Sequence, residues 1–436
     1  MKLLIEGWIS YPHSYSLVNT YQLLHLNKKE KLKIFLKELP PYKDEWNSFS
    51  SNETLSFIVT PEEQTILANI ERWKGQPVDA VLRIAFPYDL SMTRGVESTL
   101  GSHREVPLLL FYTAEFQKLH DSNFTNGNVA SFVTACFDKK ITPVTPSKWS
   151  AEALRKKGFD PLVIPHGVDV TKFYPIAHEE EREERRKKFR NEFQIPLDAF
   201  VFLNVGAMTG NKNIKLMLKA LYRLSMWKDN VFLVLKGIGD LYTCEKNITE
   251  AIISLISEGI ISTKQWKEVS KKVIFIDELF YYDEMRILYN SCDCYLSPYI
   301  AEGFNLPVLE AAACGLPVIV SKGGPTDDFT KPSFAKYPKT YPCRNTNANT
   351  NTNTNSKEDG EVYLIVDEGS LIENMMEVID NDVFRRNAQS ASVKHVQENF
   401  TWDIVTEKLY NFLTYITPEI MPNMISNCHS DLASMP

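Results

Sequence analysis

Short apolar runs bounded by turn residues recur along the chain. Near the start they read KLLIEGW from Lys2, KIFLKEL from Lys33, LSFIVT from Leu55, DAVLRIAF from Asp79, PLLLFYT from Pro107 and PLVIPHG from Pro161. Near-continuous apolarity over so few residues predicts strands buried on both faces, and the stretches between them, such as Leu17–Leu26 and Pro61–Trp73, have helical length. Strand and helix in alternation predict a mostly parallel sheet covered on both sides. The pattern restarts with AFVFLNVGAM from Ala199 and a helix whose apolar stripe is Ile214, Met217, Leu218, Leu221 and Leu224. Strands follow at VFLVLKG, VIFID, CYLSP, LPVIVS and YLIVD (Val231, Val273, Cys294, Leu316 and Tyr363). The fold class read from this is α/β, with two Rossmann-like doubly wound domains facing each other across a cleft.

The breaks in the pattern set the boundaries. HEEEREERRKKFRNEF, from His178 to Phe193, is almost wholly charged with Glu ahead of Arg and Lys at helical spacing, which predicts a solvated helix joining two domains. The expected organisation is a front domain over 1–177, a charged linker over 178–195, a second domain over 196–398 and a C-terminal helix over 399–418 that packs back on the front domain. Within the second domain, 344–360 (RNTNANTNTNTNSKEDG) offers no apolar periodicity and is expected to be a disordered surface insertion between two strands.

Charge removes one class of function. Lys plus Arg number 48 against 55 Asp plus Glu, a net charge of −7 concentrated after residue 195, the wrong sign for a nucleic-acid backbone binder. Seven scattered cysteines without a CxxC pair suit a reducing compartment, and the CxC at Cys292 and Cys294 lacks a second ligand pair, so no zinc is expected. Glu6 interrupts the first apolar run before a signal-peptide core forms, and no window approaches ~18 apolar residues. A cytoplasmic protein is expected, with peripheral contact at a membrane left open.

The chemistry concentrates in SPYIAEGFNLPVLEAAACGLPVIVSKGGPTDDF, Ser297 to Phe329. A strand ends, a loop carries Glu302, Gly303, Phe304 and Asn305, Pro307 opens a helix, and Gly315 ends it. Free amides at a helix N-terminus attract an anion, and Gly303 is expected to let a phosphate approach closely. Glu302 and Glu310 flank that anion site. Carboxylates accept hydrogen bonds from hydroxyls, so a phosphate cradle beside two acids describes a nucleotide-activated sugar.

This stretch resembles the retaining GT-B glycosyltransferases, the family 4 or glycosyl transferase group 1 type, whose E-x7-E motif Glu302 and Glu310 reproduce. VIPHGVDVTKFYP (Val163 to Pro175) and TPSKWS (Thr145 to Ser150) are similar to further family segments. The resemblance implies that Glu302 lies beside the donor sugar, that Gly303, Phe304, Asn305 and Leu306 meet the diphosphate, and that Glu310 holds the ribose hydroxyls. It also implies that the loop after the first strand of the second domain, VGAMTGNKN with Gly206, supplies Lys212 to the phosphates. Ala207 stands where the family usually has Arg, whose bidentate fork Ala cannot supply. Lys236 is either the replacement charge or an ordinary strand-end lysine reaching solvent.

The front domain is expected to hold the acceptor. His13, after the first strand, is its best titratable candidate for catalysis. Glu115 occupies roughly the place where many relatives carry a His beside the sugar, and a helix-start carboxylate is the other reading. Arg83 within a buried strand points to a salt bridge, and His166 to a shaping role at the hinge. The expected function is a retaining transfer of a sugar from a nucleotide-diphosphate-sugar donor to an acceptor hydroxyl on a glycan, glycolipid or protein-linked glycan, with no cofactor, no metal and no nucleic-acid partner. Epimerisation or phosphorolysis on the same fold, and an idle relative that binds nucleotide sugar or scaffolds a partner enzyme, are the alternatives.

Overall fold

The computed structural model describes residues 1–9, 11–40, 52–88, 106–124, 128–137, 141–345 and 360–417. Two parallel sheets organise them. The first comprises β1 (Lys2–Gly7), β2 (Lys33–Glu38), β3 (Glu71–Arg72), β4 (Ala80–Ile84), β5 (Leu108–Phe111), β6 (Ile141–Thr145) and β7 (Leu162–Val163), in the order β3-β2-β1-β4-β5-β6-β7. The second comprises β8 (Phe200–Val205), β9 (Val231–Gly237), β10 (Val273–Asp277), β11 (Cys294–Ser297), β12 (Val318–Val320) and β13 (Ala335–Lys336), in the order β10-β9-β8-β11-β12-β13. Strand order reverses between β1 and β4 and again between β8 and β11, and at each reversal the loops leaving the carboxyl ends diverge to open a crevice. Both doubly wound domains anticipated from the alternation are present.

Two local expectations fail and one strand is added, for identifiable reasons. LSFIVT is no strand: a helix occupies Asn52–Ser56, and Thr60 then starts the helix Pro61–Asn69 through a capping box, its hydroxyl accepting from the Glu63 amide at 3.2 Å while the Glu63 carboxylate accepts from the Thr60 amide at 2.8 Å. Leu55, Ile58 and Val59 still enter the core, as a covered turn. Strand β6, ITPVT, carries no continuous apolar run, since Thr and Pro interrupt it, yet Pro143 pairs in parallel register with Leu110. YLIVD lies in β15 (Glu361–Val366), which pairs antiparallel with β14 (Thr340–Asn345) in a separate hairpin and joins neither large sheet. Only Val362, Leu364 and Val366 of β15 are buried, the alternation of a strand with one wet face. The Asn/Thr-rich segment connects these two strands, and its residues 346–359 lie outside the described residues.

The charged helix Glu179–Glu192 is solvated on most of its surface, but Arg190 is fully buried, donating to the carbonyls of Ser291, Pro196, Leu197 and Ala199 and to Asp293 at 2.8 Å. Arg186 joins Asp293 at 2.9 Å. A fully desolvated guanidinium is tolerated only because its donors are met, and this anchors the helix to the second domain.

The last described helix, Trp402–Ile416, lies on the front-domain helix Ser14–Leu26. Trp402 is buried and stacks on Tyr21 with centroids 5.4 Å apart, the Val168 amide donates to the Phe400 carbonyl at 2.9 Å, and His25 meets Asp403 at 2.6 Å. The chain therefore crosses between domains twice. No helix among the described residues is long and apolar enough to cross a membrane.

Candidate active site between the domains

The two crevices face one another and enclose a cavity of about 930 Å³. Its second-domain wall begins at the loop after β11. The helix Leu306–Ala313 starts behind Asn305, which adopts a left-handed φ of 78° and donates from its amide side chain to the Ser297 hydroxyl at 3.0 Å. The backbone amides of Gly303, Phe304, Asn305 and Leu306 have no acceptor among the described residues, and all four residues line the cavity. Successive unpaired amides running into a helix N-terminus form an anion cradle. Phe304 and Leu306 send their side chains into the core, Phe304 against His166 at 4.9 Å and Phe329 at 4.8 Å, so they offer the cavity chiefly backbone.

Gly303 has a different job from the expected one. A Cβ there would lie 2.0 Å from Thr113 Cγ2 of the front domain, and its carbonyl accepts from Ser147 Oγ at 2.7 Å and Ser150 Oγ at 3.3 Å. The missing side chain makes room for the opposite domain rather than for a phosphate. Asp328 also crosses the cleft, accepting the Lys148 amide at 2.7 Å at the start of a front-domain helix.

The loop after β8 carries the cation. Lys212 reaches across the bare face of Gly206, where a Cβ would lie 3.2 Å from Lys212 Cε, and its ammonium pairs with the Glu302 carboxylate. Ala207 lines the cavity beside them. Lys236 does not reach solvent as a strand-end lysine: it is buried, donating to the carbonyls of Gly237, at 2.7 Å, and Glu278, above the Phe280 ring. Burial lowers its pKa to about 8. Glu310 is buried one turn into its helix and accepts from the Tyr289 hydroxyl at 2.7 Å; burial raises its pKa to about 7, with that hydrogen bond opposing.

The front-domain wall supplies Glu115, whose side chain faces the open cavity with protein around the rim of the cleft. Asn211 Nδ2 donates to it at 3.3 Å from the second domain. Desolvation in the cleft and the neighbouring Glu302 push the Glu115 pKa up to about 7, against the pull of Lys212. His13 caps the helix Ser14–Leu26, its Nδ1 accepting the Tyr15 amide at 3.1 Å, and packs edge-on to Trp8 and Tyr15. Burial lowers its pKa to about 4, which suits a neutral orienting group better than a base at neutral pH. Arg83 lies 3.8 Å from Glu6, the structural ion pair that its buried strand position pointed to.

The cavity thus brings together Glu302, Glu310, Lys212, Lys236, Glu115 and His13. Sequence reasoning missed Asn211, although it adjoins Lys212, and missed Thr113, Ser147 and Ser150, whose contacts exist only once the domains face each other. It also missed the rim, where the Val362 amide donates to the Phe116 carbonyl at 2.9 Å and His120 meets Glu361 at 3.4 Å, joining the hairpin to the front domain.

Two doubly wound domains facing one another across a shared cleft define the GT-B fold. The family model described as glycosyl transferases group 1 matches residues 185–337, most of the second domain. The chain is 23% identical to the GDP-mannose-dependent monoacylated alpha-(1-6)-phosphatidylinositol monomannoside mannosyltransferase of Corynebacterium glutamicum over 57% of this chain and 55% of that protein. It is 32% identical to the O-antigen chain mannosyltransferase RfbU of Salmonella typhimurium over 28% of this chain and 29% of that one. The chain thus spans about half or less of the length of these curated relatives. In fold it is similar to a glycosyltransferase of Rickettsia africae (TM-score 0.64, 14% identity, covering 96% of this chain and 99% of that one). It is also similar to Anabaena Alr3699/HepE in complex with UDP and glucose (TM-score 0.63, 14% identity, 95% and 100%).

Proposed function

We propose that the protein is a retaining glycosyltransferase that moves a sugar from a nucleotide-diphosphate-sugar donor to an acceptor hydroxyl. The observation that carries the reading is the meeting of Lys212, Glu302 and the four unpaired amides of 303–306 in one cavity. The leaving diphosphate is neutralised by the amides, the helix end and Lys212 as charge builds on it, so these groups act most strongly in the transition state. Glu310 accepts ribose hydroxyls, with Tyr289 orienting its carboxylate. Glu302 lies beside the sugar and stabilises positive charge at the anomeric carbon, while the acceptor approaches from the front-domain side past His13 and Glu115. Lys236 adds positive charge on the side where Ala207 replaces the usual Arg.

The names of the relatives support a hexose donor, and a neighbour bearing UDP and glucose supports a nucleotide-sugar site. The test is a panel of nucleotide sugars scored for diphosphate release with and without glycan, glycolipid and glycopeptide acceptors. Acceptor-dependent release from one donor, with the anomeric configuration kept in the product, is the expected result. The cradle consists of amides and cations, so turnover should persist in EDTA; loss on chelation with recovery on magnesium or manganese would replace the metal-free reading. Donor binding with no transfer to any acceptor would favour the idle relative.

A further inference from the structure

Residues 211 and 212 are consecutive, yet they hold two carboxylates from opposite domains. Asn211 donates to Glu115 of the front domain, and Lys212 pairs with Glu302 of the second. The Asn211 side chain is itself fixed, donating also to the Ala301 carbonyl at 3.2 Å and accepting from the Thr209 hydroxyl at 2.5 Å, while the Asn211 main-chain carbonyl accepts from the Ile300 amide at 2.7 Å. One short turn therefore sets the distance between two acids whose cation is Lys212. Among the described residues, the other ionisable groups facing Glu115 are the Tyr15 and Tyr242 hydroxyls, neutral at physiological pH, with Lys118 and His120 further along its own loop on the cavity lining.

Resting on the transferase reading, we propose that diphosphate binding takes Lys212 from Glu302 and thereby draws a proton from solvent onto the Glu115–Glu302 pair, making Glu115 a hydrogen-bond donor in the loaded site. The argument is electrostatic. In the free protein one ammonium serves two acids; a bound diphosphate claims that ammonium and brings its own negative charge into the same cleft. Two carboxylates left facing one another hold a proton more tightly than either does alone. Glu115 is the member poised to accept it, since Glu302 already raises its proton affinity and Lys212 is what restrains it. The donor then meets a carboxylic acid, with an O–H to offer a sugar or phosphate oxygen, instead of a third anion.

Proton uptake is read from the slope of binding enthalpy against buffer ionisation enthalpy. The probes are UDP, GDP and ADP, titrated into the full-length protein with EDTA at about pH 8, where a free pair with the Glu115 affinity described is mostly deprotonated. The expected result is an uptake of about half a proton or more, lost in E115Q, which still binds, and kept in K236M. The K236M arm matters because an anion near Lys236 would also favour its charged form. In the wild type, affinity should fall more steeply between about pH 7 and 9 than in E115Q, a check independent of the calorimetric slope. Binding without uptake, uptake that survives E115Q, or uptake lost in K236M would each overturn the proposal while leaving the transferase reading in place. Failure of all three diphosphates to bind would overturn both.

Discussion

The two walls of the cleft are built differently. The amides and the Lys212–Glu302 pair of the second-domain wall come from two short contiguous stretches, 206–212 and 302–310, each at a carboxyl end of a strand beside the switch point of one sheet, with Lys236 and Phe280 lining the cavity further along. The front-domain wall is assembled from Trp8, His13 and Tyr15 after β1, Tyr88 after β4, Glu115 after β5 and His166 after β7. The first wall offers backbone amides and charge; the second is largely aromatic, with Tyr15 and Tyr88 joined through their hydroxyls and Tyr88 fixed to the Thr113 backbone. On the proposed reading, a constant group, a diphosphate, needs only local backbone geometry that a few consecutive residues encode. Shaping a site around a variable acceptor requires side chains from many loops.

The largest effect should distinguish chemistry from holding on the second-domain wall. Glu302→Gln keeps shape and removes charge beside the sugar, so turnover should fall by about 100- to 1000-fold, the scale of losing a group that acts on the transition state. Donor affinity should change little or improve, since Lys212 loses the partner that competes for it. Lys212→Ala should do the reverse in emphasis, weakening diphosphate binding by about 2 kcal/mol, the cost of a charge-assisted hydrogen bond. Calorimetry and steady-state kinetics on the two variants test the division. Intact turnover in the first, or intact affinity in the folded second, would move the reaction centre elsewhere.

Glu310 gives the next effect, read in stability. Its proton affinity in the fold, near pH 7, lies above that of an unfolded glutamate, so the folded state holds a proton that the unfolded chain has already released. Stability from this group is therefore fully present below about pH 4.5 and is lost as pH rises through about 7, a swing on the order of 3 kcal/mol. Glu115 works in the same direction, so the measurement is the difference between wild type and Glu310→Gln across that interval by denaturant titration. The variant should show the flatter profile. Parallel profiles would mean that Glu310 is ionised and well solvated in the fold.

Legibility followed the same divide. Glu302 and Glu310 could be picked out from spacing and context because the strand, loop and helix that place them are neighbours in the chain, and Lys212 from the resemblance of its loop to the family's. Asn211, Thr113 and the Ser147–Gly303 contact could not, because their meaning depends on the other domain: the separation of Ser147 from Gly303 is 156 residues. The fold was legible wherever a run was buried on both faces and less so where one face was wet, as in β15, or where Pro and Thr diluted the run, as in β6. Gly303 shows the limit most clearly. Its residue type signals close approach, and only the assembled structure shows that the approaching group is a threonine.

That contact supplies a test of how far the walls depend on each other. Gly303→Ala places a methyl in contact with Thr113 and should destabilise the closed arrangement by about 1–3 kcal/mol, the usual cost of overpacking. Thr113→Ala should be nearly silent alone and should rescue the first change, a coupling readable as a double-mutant cycle in melting temperature and turnover. Additive losses would show that the domains yield freely at this point.

The smallest effect is expected at the rim, where the hairpin of β14 and β15 meets the front domain. Its register runs without interruption from Thr340 opposite Val366 to Asn345 opposite Glu361, and it is docked by the Val362 amide on the Phe116 carbonyl and the Leu364 amide on the Ile300 carbonyl. Among the described residues, the contacts that fix the hairpin lie in the paired strands and their neighbours. Residues 346–356, drawn from a stretch of Asn, Thr and Ser, have no apolar side chain other than Ala348 to bury. Replacing them with a Gly/Ser linker of about five residues shortens the loop, and the entropy of closing it changes by under about 1 kcal/mol in the stabilising direction. Melting temperature should stay level or rise slightly, with turnover unchanged. A clear loss of either would mean that the Asn/Thr-rich segment touches the cleft or an acceptor, and the front wall would then have to be extended to include it.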